Sequence, residues 1–344
     1  FADPPIEAGM RRGLIAAVLI ALALGASSSA AAASWAQPQI RTVVNHGLMG
    51  PSVDAFRPGQ PLTRQALGQA IANLTGQPQV VVDGTKPVLM WELERALVKA
   101  AGLRNAGILF ATKAREAGLA PPKRFGAEVV ARLLGLRFNH AALNDGRELR
   151  PQDVATRAEA AYSFAQLVDL SDWKRGSVAS LAQSFSLPAF TPWQRTVLKR
   201  AVAFVGYPYV WGGTSEFTQT LFGVRSRGGF DCSGFVWRIY KTHPFAGAPQ
   251  LQNVLRGRTT YDMSGEFPVS RRIRRANLKP GDLVFFGDRG PSSRPSQVTH
   301  MGIYVGKGWF VHSSGQGTTL TTLTGWYADR FAWGRRPLRE AGLA

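Results

Sequence analysis

Phe230-Asp231-Cys232-Ser233-Gly234-Phe235 holds the only cysteine of this 344-residue chain, and how that stretch is read decides what kind of domain surrounds it. A lone thiol cannot close an internal disulfide, so Cys232 is either apolar filler or a nucleophile. Asp231 is a residue type that caps helices, and residues 232–240 continue as a helix with Phe235, Val236 and Ile239 available for packing. A cysteine in a first helical turn feels partial positive charge and backbone N–H groups that lack intrahelical partners. Both favour thiolate, with a pKa below the ordinary value of about 8.5.

Two histidines downstream fit a nucleophile of that kind. Thr299-His300-Met301-Gly302-Ile303-Tyr304-Val305 alternates, with Met301, Ile303 and Val305 on one face and His300 and Tyr304 on the other. A Gly-Lys-Gly turn leads into Trp309-Phe310-Val311-His312. A loop at Val305-Gly306-Lys307 predicts that Tyr304 pairs with Gly308 and that His300 lies directly opposite His312. Trp309 and Val311 then share the Met301/Ile303 face, and both imidazoles project from the other. A sulfur, a base and a polar group that steadies the base make a nucleophilic triad. A Cys/His/His zinc site is the competing reading, but no carboxylate or second cysteine recurs at ligand spacing. Residues 206–213 lack the Lys-Ser/Thr ending of a phosphate cradle. His46, His140 and His243 carry no such pattern.

Four motifs in order carry a family resemblance: Gly206-Tyr207-Pro208-Tyr209-Val210-Trp211-Gly212-Gly213, the Cys232 hexapeptide, Leu278-Lys279-Pro280-Gly281-Asp282-Leu283-Val284-Phe285-Phe286, and His300-Met301-Gly302-Ile303-Tyr304-Val305-Gly306. With His312 they resemble the NlpC-type cell-wall cysteine peptidases, across roughly residues 192–338. The resemblance implies an α+β, papain-like C-terminal domain: an antiparallel sheet with packed helices, one bearing the cysteine. It implies Cys232 as nucleophile, His300 as general base and His312 as the residue orienting that base. Tyr209 would help hold an oxyanion, and Asp231 and Ser233 would flank the substrate. It further implies a stem-peptide substrate cut between D-glutamate and the diamino acid, with no metal or cofactor required. A non-catalytic wall-binding protein, or an amidase or peptidyl-transferase using the same site, are the alternatives. Residues 214–229 are longer than the short turn usual in the family this domain resembles, a departure expected to reshape or cover one wall of the groove.

The N-terminal half has a different grammar. Leu62-Thr63-Arg64-Gln65-Ala66-Leu67 and Ala155-Thr156-Arg157-Ala158-Glu159-Ala160 match in register, each after an extended lead-in with a proline and each opening an amphipathic helix capped by threonine. Residues 88–103 form a third, degenerate copy with Met90-Trp91 in the Thr-Arg place. These units resemble S-layer homology repeats, which implies an all-α repeat bundle holding anionic wall polymers. Arg64 and Arg157 are the candidate polymer contacts. The expected organisation is a leader and signal peptide over 1–36, a wall-binding module over 37–170, a linker over 171–191 that includes a short helix near 177–185, and the peptidase domain over 192–344.

Compartment follows from composition. Met10-Arg11-Arg12, an apolar run over 14–24 and small residues up to Ala36 read as a secretory signal cleaved after Ala33 or Ala36. The membrane is then met only during export, and Cys232 is expected as an exposed, oxidisable thiol. The formal charge of +19, from 41 Lys and Arg against 22 Asp and Glu, suits phosphate- or carboxylate-rich wall polymers. The Arg271-Arg272-Ile273-Arg274-Arg275 run is a second polyanion candidate. No zinc-finger or aromatic RNA motif points to nucleic acid.

Overall fold

The computed structural model describes residues 34–343, so residues 1–33 of the signal-peptide reading lie outside the described residues, whereas Trp35 stacks on Phe138 at 4.8 Å and Ala36 is buried in the core. Among the described residues no helix is long and apolar enough to cross a membrane.

The N-terminal region is helical. It holds α1 (Gln37–Asn45), α2 (Arg64–Thr75), α3 (Met90–Ala100), α4 (Arg104–Glu116), α5 (Phe125–Leu134), α6 (Arg157–Val168) and α7 (Asp172–Ser184). Three of its helix starts make equivalent backbone bonds. Thr63 and Thr156 cap α2 and α6 by accepting from Ala66 N–H and Glu159 N–H, each at 3.2 Å. In α3, Glu92 Oε2 reaches back to Leu89 N–H at 2.9 Å instead. The three lead-in segments close a ring: Leu62 N–H donates to Ala155 O, Ala155 N–H to Val88 O, and Val88 N–H to Leu62 O, each at 2.8 Å. The next bonds repeat the pattern, with Arg64, Met90 and Arg157 N–H donating to Lys86, Asp153 and Gln60 O, each at 2.9 Å. Equivalent positions thus make equivalent bonds around an approximate threefold, and a chain with period-related units satisfies its otherwise orphaned helix-start groups in this way. Leu62, Val88 and Ala155 are buried at the centre.

The segment expected as a linker is instead largely helix. Ser171 caps α7, which buries Val178 and Ala182, and Lys113 of α4 donates to Ala182 O and Gln183 O at its end. Phe185 then packs its ring 5.0 Å from both Phe110 and Trp309. The Ser and Gly residues that suggested a linker sit on the exposed side of α7, while its few apolar residues anchor it.

The C-terminal region begins with α8 (Pro192–Ala203), started by a Thr191–Gln194 capping box. Its sheet contains β5 (Leu283–Gly287), β6 (Val298–Gly306), β7 (Trp309–Ser314), β8 (Gly317–Thr322) and β9 (Phe331–Arg335), all antiparallel, in the order β8-β7-β6-β5-β9. Before it come β1 (Thr214–Ser215), β2 (Gln219–Leu221), β3 (Val224–Ser226), β4 (Gly229–Phe230) and α9 (Cys232–Trp237). Met301, Ile303, Val305, Trp309 and Val311 join the main core beneath α9, as their alternation predicts. Val284, Phe286, Phe310, Leu323 and Phe331 form a smaller core on the opposite face.

Candidate active site

The nucleophile candidate is fixed by its N-cap. Asp231 Oδ1 accepts from Gly234 N–H and, at 3.0 Å, from Ser233 Oγ. Arg258, a residue no sequence pattern singled out, closes the arrangement. Its guanidinium reaches Ser233 Oγ at 2.6 Å, Asp231 Oδ2 at 3.2 Å and Gly212 O at 3.0 Å. Gly234 is required because a Cβ there would collide with Gly213 O. Asp231 and Ser233 therefore serve the architecture of the turn through their side-chain bonds.

The histidine hairpin differs from expectation by two residues. Ile303 pairs with Val311 and Tyr304 with Phe310, with an irregularity at Gly306 opposite Trp309. Continuing that register sets Gly302, not His300, across from His312. The bulge shortens the turn to Lys307-Gly308, which the sequence count did not foresee. A two-residue slip preserves the face, so both imidazoles still share a side. Gly302 makes room for them, since a Cβ there would come within 3.0 Å of His312 Cβ and 2.8 Å of Phe310. The rings meet: His300 Nε2 lies 2.7 Å from His312 Nδ1.

Two backbone links bring sulfur and imidazoles together. Ser313, next to His312, donates its hydroxyl to Phe230 O at 2.6 Å. The N–H groups of Ser233 and of Met301, the neighbour of His300, lie close enough to the Cys232 sulfur to favour its thiolate. Tyr209 is held alongside by a parallel bridge to Phe230. Its phenol is pushed up by burial first, and by the neighbouring Asp231 and Asp145 carboxylates and any negative charge developing on Cys232.

Burial dominates the electrostatics. Cys232 is only 8% exposed, and burial followed by the Asp231 carboxylate pushes its thiol up to about 12, against the smaller pull of the Ser233 and Met301 N–H groups and of Arg258. This corrects both expectations for the sulfur: it is neither exposed nor held as thiolate by its helix start. The capping carboxylate that makes the turn also opposes the second negative charge beside it. Burial likewise lowers His300 to about 4 and His312 well below the ordinary histidine value, helped by His300. The cause is an aromatic box. Phe286 stacks on His300 at 5.7 Å, while Phe310 and Tyr327 lie 4.8 and 5.2 Å from His312. Phe286 could have been found from its place on the strand paired with His300, whereas nothing around Tyr327 signals its role.

A neutral pair has a defined proton arrangement. His300 can accept the thiol proton only on an unprotonated nitrogen; with Nε2 facing His312, that nitrogen is Nδ1. The Nε2–H then donates to His312 Nδ1.

The N-terminal region also reaches this site. Asp145 Oδ2 accepts Trp211 N–H at 2.8 Å, its other oxygen has no hydrogen-bond partner among the described residues, and burial pushes its carboxyl up to about 6. Buried Arg132 of α5 donates to Gly206 O, and to Gln316 O at 2.7 Å. Residues 206–213 are thus clamped between the two regions. The long segment 214–229 folds as the β1/β4 ladder carrying the β2/β3 hairpin, and its Glu216 pairs with Arg238 behind α9. It leaves Phe217 and Phe222 exposed near exposed Trp211. Arg64 and Arg157 are not part of this cluster. Arg64 pairs with Glu92 at 3.3 Å, and Arg157 donates to Phe56 O at 2.7 Å while covering the Phe56 ring.

With that geometry in place, residues 206–336 match the model of the NlpC/P60 family, and the C-terminal region is an NlpC/P60 domain. Relatives include Murein DD-endopeptidase MepH of Escherichia coli, 33% identical over 144 residues, and Gamma-D-glutamyl-L-lysine dipeptidyl-peptidase of Bacillus cereus, 31% identical over 156 residues. The matches take in 41% and 43% of this chain but only 45% and 38% of those proteins. A crystal structure of an NlpC/P60 family protein from Bacillus cereus is 27% identical, with a TM-score of 0.32, covering 44% of this chain and 42% of that one. The two relatives are named for different bonds.

Proposed function

We propose that the chain is an exported cysteine endopeptidase that hydrolyses an amide of the peptidoglycan stem peptide, the bond between D-glutamate and the diamino acid. The observation that carries the reading is the 2.7 Å bond between His300 Nε2 and His312 Nδ1, on β6, the strand that packs against the Cys232 helix α9. His300 takes the thiol proton as the sulfur attacks the carbonyl, and general-base assistance is worth roughly 10²–10⁴-fold. Burial raises the thiol and lowers the imidazole, which favours a proton that moves during attack rather than beforehand. His312 accepts the Nε2–H bond, which strengthens as His300 becomes cationic. The Cys232 backbone N–H and Tyr209 hydroxyl hold the developing oxyanion. His300 returns its proton to the leaving amine, and water releases the thioester.

The N-terminal module is assigned to the wall as an anchor of the S-layer homology type. The cyclic backbone ring supports repeat units of that kind. A cavity of about 1030 Å³ between α2, α3, α4 and α5 is lined by Arg95, Lys99, Arg104, Arg115 and Lys123, none with an ion-pair partner among the described residues. Arg64 and Arg157 are weaker contacts than the repeat pattern suggested, since both are engaged internally. Mass analysis of defined muropeptides incubated with the protein tests the reaction. A cut at the D-glutamyl bond is expected, and intact peptide or a cut at another bond overturns it. Wall sedimentation should weaken with salt and with Arg95→Ala/Lys99→Ala/Arg104→Ala.

A further inference from the structure

The C-terminal domain carries a second basic concavity, built from a different part of the chain. Residues 269–279 cross the outer edge of the sheet beside β9. Ile273 is buried there and exchanges backbone bonds with Gly334, N–H to O at 2.9 Å and O to N–H at 2.8 Å. Arg272 lies flat over the Trp333 ring, 3.5 Å from its centre. Two anchors therefore fix the backbone from which Arg271 and Arg274 project, and both are exposed. Arg336 is fixed opposite by Asp282 at 2.8 Å and by Asn277 O at 2.7 Å.

The resulting cavity of about 690 Å³ is lined by Arg271, Arg272, Arg274, Lys279, Arg336 and Arg339, with no acidic side chain. Only Arg336 has an ion-pair partner among the described residues. Solvated surface arginines usually lie among carboxylates, because like charges at close range raise one another's energy. Here Arg271, Arg274 and Arg339 face one concavity without an ion-pair partner among the described residues, while Lys279 and Arg336 share the Asp282 carboxylate behind it, on a backbone held in place before any ligand arrives. Prepaid ordering of this sort lowers the cost of binding.

We propose that this concavity binds a linear polymer of phosphate or other oxyanions, independently of the N-terminal module and of whatever reaction occurs at Cys232. Guanidinium forks match tetrahedral and planar oxyanions with paired N–H bonds. The pocket offers no exposed aromatic surface, since Trp333 is 2% exposed and covered by Arg272. Nucleic-acid single strands are held through stacked bases, so the fit is to a polyol- or sugar-like chain whose charge is its only handle.

The test uses the full chain with Arg95→Ala/Lys99→Ala/Arg104→Ala already introduced, so that the N-terminal cavity does not mask the signal. Binding of labelled inorganic polyphosphate, poly-L-glutamate of matched length and single-stranded DNA is followed by anisotropy against salt. Adding Arg271→Ala/Arg274→Ala/Arg339→Ala should weaken binding of the preferred oxyanion polymer at least ~10-fold. It should also lower the log–log salt slope by about 2, at roughly 0.7 per cation removed. Arg271→Glu/Arg274→Glu should abolish binding, with cleavage of a soluble stem peptide unchanged in both variants. The polymer held more tightly tells whether phosphate or carboxylate is the natural charge. Unchanged binding in the folded variants overturns the proposal. So does DNA held more tightly than either polymer through these same residues.

Discussion

His312→Ala separates a positioning role from a structural one. The substitution removes the acceptor 2.7 Å from His300 Nε2 and leaves that N–H inside an aromatic box with nothing to bond. His300 then loses the contact that fixes its tautomer and turns Nδ1 toward the sulfur. It also loses stabilisation of the imidazolium formed as the thiol proton arrives. General-base assistance is worth about 10²–10⁴-fold, and losing orientation while the imidazole stays present forfeits a part of it. We expect kcat to fall on the order of 10²-fold, equivalent to ~2.7 kcal/mol at 1.36 kcal/mol per decade, with KM little changed. Because His312 is 1% exposed, the cavity also costs about 1–3 kcal/mol of stability, so melting must be followed alongside. His312→Asn provides the control: Asn Oδ1 can occupy the place of Nδ1 and accept the same bond, and should bring kcat back to within ~10-fold of wild type. The assay is the rate of soluble stem-peptide cleavage across pH. Wild-type turnover in a folded His312→Ala protein would refute the reasoning.

Three further outcomes follow from the same geometry. With His300 lowered to about 4 and Cys232 raised to about 12, the base is neutral above pH ~4. The acidic limb of kcat/KM should therefore lie near 4 rather than near 6.5, and a limb at 6.5 or above would contradict the buried-pair description. Iodoacetamide should alkylate Cys232 at pH 7 about 10³-fold more slowly than a free thiol of pKa about 8.5, and rapid labelling would show a preformed thiolate. Arg132→Met should destabilise the protein by roughly 2–5 kcal/mol, because it removes the donor of Gly206 O and Gln316 O, at about 1–3 kcal/mol for each carbonyl left unpaired. A change below 1 kcal/mol would show that the two regions are held together by other contacts.

The site was legible where chemistry and periodicity coincide. Alternation in β6 and β7 put Met301, Ile303, Trp309 and Val311 on one side and both histidines on the other, and that assignment survived a register error of two residues because side chains repeat every two. The bulge at Gly306 could not be read, since glycine is compatible with several turn lengths. A helix start is a local signal for Cys232, whereas the burial and the Asp231 carboxylate that push its thiol up depend on residues far along the chain as well as on its neighbour. Arg258, Asp145 and Tyr327 stayed hidden for the same reason. Strands β8 and β9 were missed: Thr-Thr-Leu-Thr-Thr lacks an apolar alternation although Thr318 and Thr319 are buried, and Gly334 interrupts Phe331-Ala332-Trp333. In the N-terminal half the Thr-Arg pattern located two helix starts, and the ring through Leu62, Val88 and Ala155 shows why the third, Met90, needs no threonine: Glu92 supplies its cap.

The most direct measurement is rapid-quench mass spectrometry of the intact protein mixed with a defined stem peptide. The account predicts a transient mass increase equal to the acyl fragment, mapped to Cys232, absent in Cys232→Ala and formed far more slowly when His300 is replaced by Gln. Peptide cleavage by Cys232→Ala at the wild-type rate, or an adduct on any other residue, would contradict it.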